Sequence, residues 1–297
     1  MELRVLHYFL AVAREQSISA AAQSLHLTQP TLSTQLKALE EELGKQLLVR
    51  GTKGSRKVTL TEEGMILRKR AEEILTLVNK AEEEIAHSDD TVVGTVSIGA
   101  GETDIVRYFA KAARTLQKRY PDIRYQISSG NAEYVLEYLD KGLIDFGLVF
   151  GEVDQRKYQS LPLPAKDTWG VLMRRDSPLA EKEAITPQDL WDKPLLLSHQ
   201  RGGSGALFRW LKRDASQLNV VATYNLVYNA SLLVDEGLGY ALTLDKLIHT
   251  EGTDMCFRPL SPGMGATAAI VWKKYQVFTK AADTFLRCLK EQLPQES

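Results

Sequence analysis

The sequence predicts an α/β chain with an all-α N-terminal part: short helices and a small hairpin, one long helix, and an α/β portion in two similar halves. Three observations carry this. Residues 1–43 hold short helical patterns joined by tight polar turns. Residues 61–87 hold one uninterrupted helical pattern. Residues 91–297 alternate short apolar strand runs with amphipathic helices. With 297 residues and 44% hydrophobic composition, the chain has material for about two domains with full cores.

Leu3, Leu6, Phe9, Leu10 and Ala13 recur at helical spacing and define the first helix. Ser19 reads as the N-cap of a second, Ala20 to Leu25, and His26 and Leu27 make the turn after it. Thr28 then caps a third helix, with Pro30 in its first turn, where a missing N–H costs little. Leu32, Leu36, Leu39 and Leu43 share one face of that helix and are expected to be buried. Pro30, Thr34 and Lys37 lie nearly opposite, Thr31 and Ser33 flank the stripe, and Gln29 stands at the N-terminal end. Both an ordinary helical hairpin and a helix laid into the DNA major groove fit this pattern, so its context has to separate them.

The context is a basic hairpin, VRGTKGSRKVTLT, whose Arg50, Lys53, Arg56 and Lys57 put four cations on one wing. Residues 1–57 hold eight Lys and Arg against five Asp and Glu, a net of +3, while the whole chain carries −1. This excess suits phosphate contacts that are limited and salt-sensitive, and that need more than one copy of the domain.

Residues 1 to about 60 resemble the winged helix-turn-helix of LysR-type transcriptional regulators. The resemblance rests on Phe9, Ala13, Ser17, Ala20, Ala21, Leu25, Gln29, Pro30, Ser33, Gln35, Leu39, Glu40, Leu43, Gly44, Leu47 and Arg50, followed by Leu60-Thr61-Glu62-Glu63-Gly64. It implies a cytoplasmic bacterial protein that binds double-stranded DNA in a sequence-specific way. Ser19, Gln29, Pro30, Thr31, Ser33, Thr34, Lys37 and the four wing cations would lie at the DNA. Three positions depart from the pattern. Ile18 replaces an aromatic and Leu48 replaces a frequent Phe, both tolerable core exchanges. Thr34 stands where Arg is common, which bears on the operator sequence rather than on DNA binding.

The long helix, residues 61–87, opens with Thr61 as cap and with Glu62 and Glu63 at the positive end of its dipole. Leu67, Ala71, Ile74, Val78, Ala81 and Ile85 form an apolar heptad seam. A helix of ~40 Å is too long to bury against so small a domain, so an identical partner chain is expected on that seam. The resemblance implies the same use in dimerisation, assembly into tetramers, and RNA polymerase as a further contact. His87-Ser88-Asp89-Asp90 reads as a polar hinge. The expected domains are 1–60, 61–90 and 91–297, the last with halves at about 91–162 plus 267–297 and 163–266.

The last part resembles the effector domain of the same regulators, which has the two-subdomain fold of periplasmic solute-binding proteins. Ligands of such sheets sit where strand ends meet helix N-termini, in the cleft between halves. Three turns point there: Gly99 to Thr103, Ser128 to Asn131, and His199 to Ser204, with Asn225 and Asn229 on a facing turn. Free backbone N–H groups and the Arg201 fork favour an anion. The expectation is a small anionic effector held by Gly101, Thr103, Ser128, Ser129, Asn131, His199, Arg201, Ser204, Asn225 and Asn229; Glu102 and Asp104 place opposing negative charge nearby.

Other classes fit less of the chain. Gly202-Gly203-Ser204-Gly205-Ala206 nearly matches the nucleophile elbow of an α/β-hydrolase, with Asp235, Asp245 and His249 downstream. That reading leaves residues 1–87 without a purpose, so no catalytic residues are expected. A solute-binding protein without a DNA role would begin with a signal peptide, whereas this N-terminus begins as a charged amphipathic helix. Asp104 stands where a dinucleotide fingerprint needs Gly, and the five histidines lack metal-ligand spacing, so no cofactor or metal is expected. Cys256 and Cys288, far apart in sequence, read as buried thiols of a cytosolic protein. No apolar run approaches the ~20 residues of a membrane span.

Overall fold

A computed structural model of the chain describes residues 1–51, 57–86, 92–198 and 201–293, with only the backbone described for Glu84, Ala86 and residues 201–204. Two compact units result, Met1–Ala86 and His87–Ser297.

The first unit runs α1 (Leu3–Glu15), α2 (Ile18–Ser24), α3 (Gln29–Leu43), β1 (Leu48–Arg50), β2 (Val58–Leu60) and α4 (Glu62–Ala86). Its core gathers Phe9, Val12, Ala21, Leu32, Leu36, Leu39, Leu47, Leu48 and Val58. Leu48 is buried and Ile18 packs against the same cluster, so both departures from the family pattern are core exchanges.

Two local expectations need correction. The N-cap of α2 is Ser17, whose Oγ accepts from the Ala20 N–H at 3.3 Å; Ser19 lies exposed in the first turn. The helix starts earlier because Gln16, at φ 51°, ends α1 and leaves Ser17 extended. Leu43 is 41% exposed. The leucine stripe stops before it because Gly44, at φ 64°, takes the left-handed conformation that closes the helix. The chain then turns back, and Leu47 and Leu48 enter the core instead.

Glu40 holds this return in place. Its Oε1 accepts from the N–H groups of Leu47 at 2.7 Å and Leu48 at 3.0 Å, and Arg50 lies 3.9 Å from its Oε2. The wing is thereby tied to α3. Thr61 caps α4 by accepting from the Gly64 N–H at 2.9 Å, and donates to the Gln46 carbonyl at 2.8 Å. A Cβ on Gly64 would fall 2.2 Å from the Leu47 carbonyl oxygen, so the helix can pass this close only with glycine there.

The dimerisation seam is corrected in its first half. Ala71 is fully buried with Leu6 and Leu75 against α1 of the same chain, and Leu67 and Ile74 pack on that cluster. A small domain can cover the first turns of a long helix and no more. Val78 is half-buried, Ala81 and Ile85 are exposed, and Ile66 and Leu77 add exposed apolar surface.

The second unit runs β3 (Gly94–Ala100), α5 (Arg107–Arg119), β4 (Ile123–Ser129), α6 (Ala132–Asp140), β5 (Phe146–Phe150), β6 (Tyr158–Arg174), α7 (Pro187–Leu190), β7 (Leu195–Ser198), α8 (Arg201–Leu211), β8 (Val220–Tyr224), α9 (Val227–Asp235), β9 (Tyr240–Leu244), β10 (Met255–Pro259), β11 (Gly265–Lys273) and α10 (Lys280–Gln292). Strand order is β4-β3-β5-β11-β6-β9-β7-β8, with β10 pairing β6 from off this path. β3 runs parallel to β4 and β5, and β7 runs parallel to β8 and β9. Each half therefore repeats a small parallel sheet, as expected for two similar subdomains. One aromatic-rich core, with Phe109, Phe146 and Phe285, fills the first half; the second closes around Val171, Leu195, Leu211 and Leu242.

β6 joins the halves. β6 pairs with β11 from Tyr158 to Thr168 and with β9 from Trp169 onward. The crossover thus lies at Asp167–Trp169, later than the expected 161–163, because one 17-residue strand serves both halves. β10 was not foreseen, nor was the extension of the third-quarter helix, α8, back to Arg201. Cys256 and Cys288 are both buried and free.

Asp167 is buried at this crossover and accepts from the Thr103 hydroxyl. Burial pushes its carboxyl above the ordinary 3.8. The folded chain therefore holds this proton more tightly than the unfolded chain, and the associated stability is lost as pH rises from 3.8 through the raised value.

Gly64→Ala is expected to cost ~1–3 kcal/mol of stability through overpacking, read as a lower denaturant midpoint for the first unit. Asp167→Asn keeps an acceptor for Thr103 while removing the titration. Melting temperatures across the acid range should fall less with rising pH in that variant than in the wild type; parallel profiles would show that Asp167 does not set the slope.

Candidate functional site

The first unit presents one exposed polar helix face. Thr28 is the N-cap of α3, accepting from the Thr31 N–H at 3.4 Å, and its hydroxyl lies 2.7 Å from that of Thr31. The Thr34 hydroxyl donates back to the Pro30 carbonyl at 2.9 Å. The Thr31 and Thr34 hydroxyls are therefore engaged locally. Gln29, Pro30, Thr31, Thr34 and Lys37 are exposed and Ser33 is half-buried. Lys37 reaches Glu41 at 3.5 Å, an exposed pair that phosphate can break at little cost. Arg50 sits at the end of β1, and Lys57 at the start of the returning strand is exposed. Lys53 and Arg56 lie outside the described residues.

The second unit contains a cavity of about 560 Å³ between its halves. Strand ends and helix starts from both halves line it: Gly101 and Glu102 after β3, Asn131 to Glu133 at α6, Phe150 at the end of β5, Tyr224 and Asn225 after β8, and Trp169 and Met264 beside the crossovers. A smaller cavity of about 160 Å³ shares Gly101, Glu102, Gly130, Asn131 and Asn225 and adds Ser129 and Leu226. The walls of the larger cavity are largely apolar. Tyr224 donates to the Leu242 carbonyl at 2.6 Å, and burial holds its phenol up at about 12, so this wall carries no charge at neutral pH.

Of the residues expected at the effector, Gly101, Ser129, Asn131 and Asn225 line these cavities. Asn131 also caps α6 through its side chain, accepting from the Tyr134 N–H at 2.8 Å. Three of the expected residues are not brought to these linings. Thr103 turns away from the cavity: its hydroxyl accepts from the Ile105 N–H at 3.0 Å and donates to Asp167. Ser128 lies on β4, outside both linings. Asn229 lies in the first turn of α9, exposed and outside both linings. His199 lies outside the described residues, as do the side chains of Arg201 and Ser204. Gly202 to Ala206 fall inside α8, so the sharp strand-to-helix corner that a nucleophile elbow requires is not formed there.

The cavity-lining residues not foreseen are mostly the apolar walls, Phe150, Trp169, Tyr224 and Met264. Their signal in the sequence was position at strand ends, which does not distinguish a ligand wall from core. Glu102 was read only as nearby charge. Its Oε2 accepts from the Val227 N–H at 2.6 Å, joining the two halves across the cavity.

Comparison with known proteins matches both units. The model for the "Bacterial regulatory helix-turn-helix protein, lysR family" covers residues 3–65, and that for the "LysR substrate binding domain" covers residues 89–294. The chain is similar to the HTH-type transcriptional regulator BsdA of Bacillus subtilis (strain 168), 38% identical over 96% of this chain and 99% of that one. It is also similar to the Hca operon transcriptional activator HcaR of Escherichia coli (strain K12), 30% identical over 99% and 98% of the two chains. Among solved structures, full-length CbnR complexed with its target DNA shares the fold, with a TM-score of 0.76 at 21% identity over 98% of this chain and 99% of that one. No described helix is long and apolar enough to cross a membrane. With models for both halves together spanning nearly the whole sequence, the chain belongs to the LysR family of DNA-binding transcriptional regulators.

Proposed function

We propose that this regulator is a cytoplasmic homodimer or higher assembly whose α3 enters the major groove of double-stranded DNA and whose grip responds to a small molecule in the interdomain cavity. The observation that carries the reading is the exposed polar face of α3 above a fully buried leucine stripe. In this reading Gln29 and Ser33, from the N-terminal half of α3, meet base edges, with Thr31 and Thr34 beside them. The helix N-terminus, Lys37, Arg50 and Lys57 suit phosphate oxygens. The net charge of residues 1–57 is small, so one head alone gives modest affinity, and two heads on one molecule raise it through effective concentration.

Pairing of chains is assigned to the part of α4 that its own domain leaves open, namely Leu77, Ala81 and Ile85 with Ile66 toward the N-terminus. Leu67, Ala71 and Ile74 serve the intrachain contact instead. We read the molecule as a binding protein, in line with its relatives, which are transcriptional regulators. Ligand in the cavity favours one arrangement of the halves joined by β6, and that bias acts on DNA binding through contacts between chains. RNA polymerase is proposed as a further partner of the DNA-bound form.

Gln29→Ala and Ser33→Ala should each relax preference for the native operator by ~1–3 kcal/mol, the value of a lost base contact. Titration against operator and scrambled duplexes checks this, and equal losses on both would contradict direct reading. Arg50→Ala with Lys57→Ala should weaken binding to all sequences and flatten the salt slope by up to about two counterions. Leu77→Asp with Ile85→Asp should shift sedimentation toward monomers; Leu67→Asp, by contrast, should destabilise the head itself.

A further inference from the structure

Glu102 lines the cavity and supplies the acceptor at the start of α9. α9 begins at Val227, and its N-cap, Leu226, offers no side-chain acceptor. The first N–H groups of a helix need acceptors and lie at the positive end of its dipole. Here the acceptor comes from the other half of the unit: the Glu102 carboxylate accepts from the Val227 N–H at 2.6 Å. Glu102 reaches it because β3 ends at Ala100 and Gly101 turns the chain into the cavity, while Thr103 is fixed behind it by Asp167. Glu102 is half-buried and lines both cavities.

Resting on the reading of this cavity as the effector site, we infer that Glu102 sets its specificity against carboxylate ligands and in favour of neutral or cationic ring compounds. Among the described residues the charged groups lining the cavity are Glu102 and Glu133, both acidic. An incoming carboxylate has to displace Glu102 from the helix terminus or sit beside it, and like charges at contact distance in a partly desolvated site repel strongly. A ligand with N–H donors meets an acceptor already in place. Phe150, Trp169 and Tyr224 supply walls of the kind that hold a ring, and a cation gains further from aromatic faces. The volume of about 560 Å³ fits such a molecule.

The test uses three probes of one shape and different charge: benzoate, benzamide and benzamidine. Calorimetry on the full-length protein should give tighter binding of benzamide and benzamidine than of benzoate by ~tenfold or more. In Glu102→Ala the bare α9 terminus should accept benzoate, and the order should reverse. Glu102→Gln keeps a neutral acceptor, and in it the penalty on benzoate should shrink while benzamide binding persists. Wild-type protein that prefers benzoate, or a variant with unchanged order, overturns the inference. Binding of no probe to either wild type or variants, with operator binding intact, overturns the cavity as the ring site while leaving the DNA-binding reading untouched.

Discussion

The leucine stripe of α3 is the constraint from which the rest follows. Leu32, Leu36 and Leu39 are each at most 2% exposed, which fixes the rotation of the helix about its own axis. Burying each such side chain is worth ~1.5–3 kcal/mol, far more than any single polar contact on the opposite face. The polar residues therefore have no freedom to turn inward, and Gln29, Thr31 and Thr34 remain outside whether or not DNA is bound. Glu40 extends the constraint to the wing, since its carboxylate holds the Leu47 and Leu48 N–H groups and so positions β1. α3 and the start of β1 are held together for this reason.

The second unit obeys a different constraint. Its halves are separate cores, but the long strand β6 pairs in both of them. β6 alone pairs in both halves, with β11 on the first side and with β9 and β10 on the second, so it is the strand about which the halves are arranged. The cavity lies beside that strand, lined by Trp169 and Met264 at the crossovers and by helix starts on both sides. Glu102 adds a direct link from the first half to the start of α9. A ligand that competes for this link, or that strengthens it, changes the relation of the halves by contact alone.

Much of this was legible in the sequence because it rests on periodicity and on turn chemistry. The spacing of Leu32, Leu36 and Leu39 in α3 and the Thr28 and Thr61 caps are local signals, and each is formed as read. What was misread depended on distant chain. Leu43 fits the α3 stripe by spacing, but the left-handed Gly44 and the return of Leu47 decide that it stays outside. Ala71 and Ile74 fit a heptad seam equally well, yet α1 covers them first. Thr103 sits in a turn that points toward the cavity, while Asp167, 64 positions away, draws its hydroxyl elsewhere. The apolar walls of the cavity carry no pattern that separates them from core, and the N-terminus of α9 found its acceptor in Glu102, 125 positions earlier.

The measurement that bears most directly on the account is selection of bound fragments from random duplexes by the purified full-length protein at moderate ionic strength. The fixed polar face of α3, presented in duplicate, predicts enrichment of two related half-sites with inverted symmetry, spaced by about one helical turn or a multiple of it. Retention of duplexes without any enriched sequence, with losses governed by salt alone, would show that phosphate attraction is the whole of the interaction and would contradict base reading by α3.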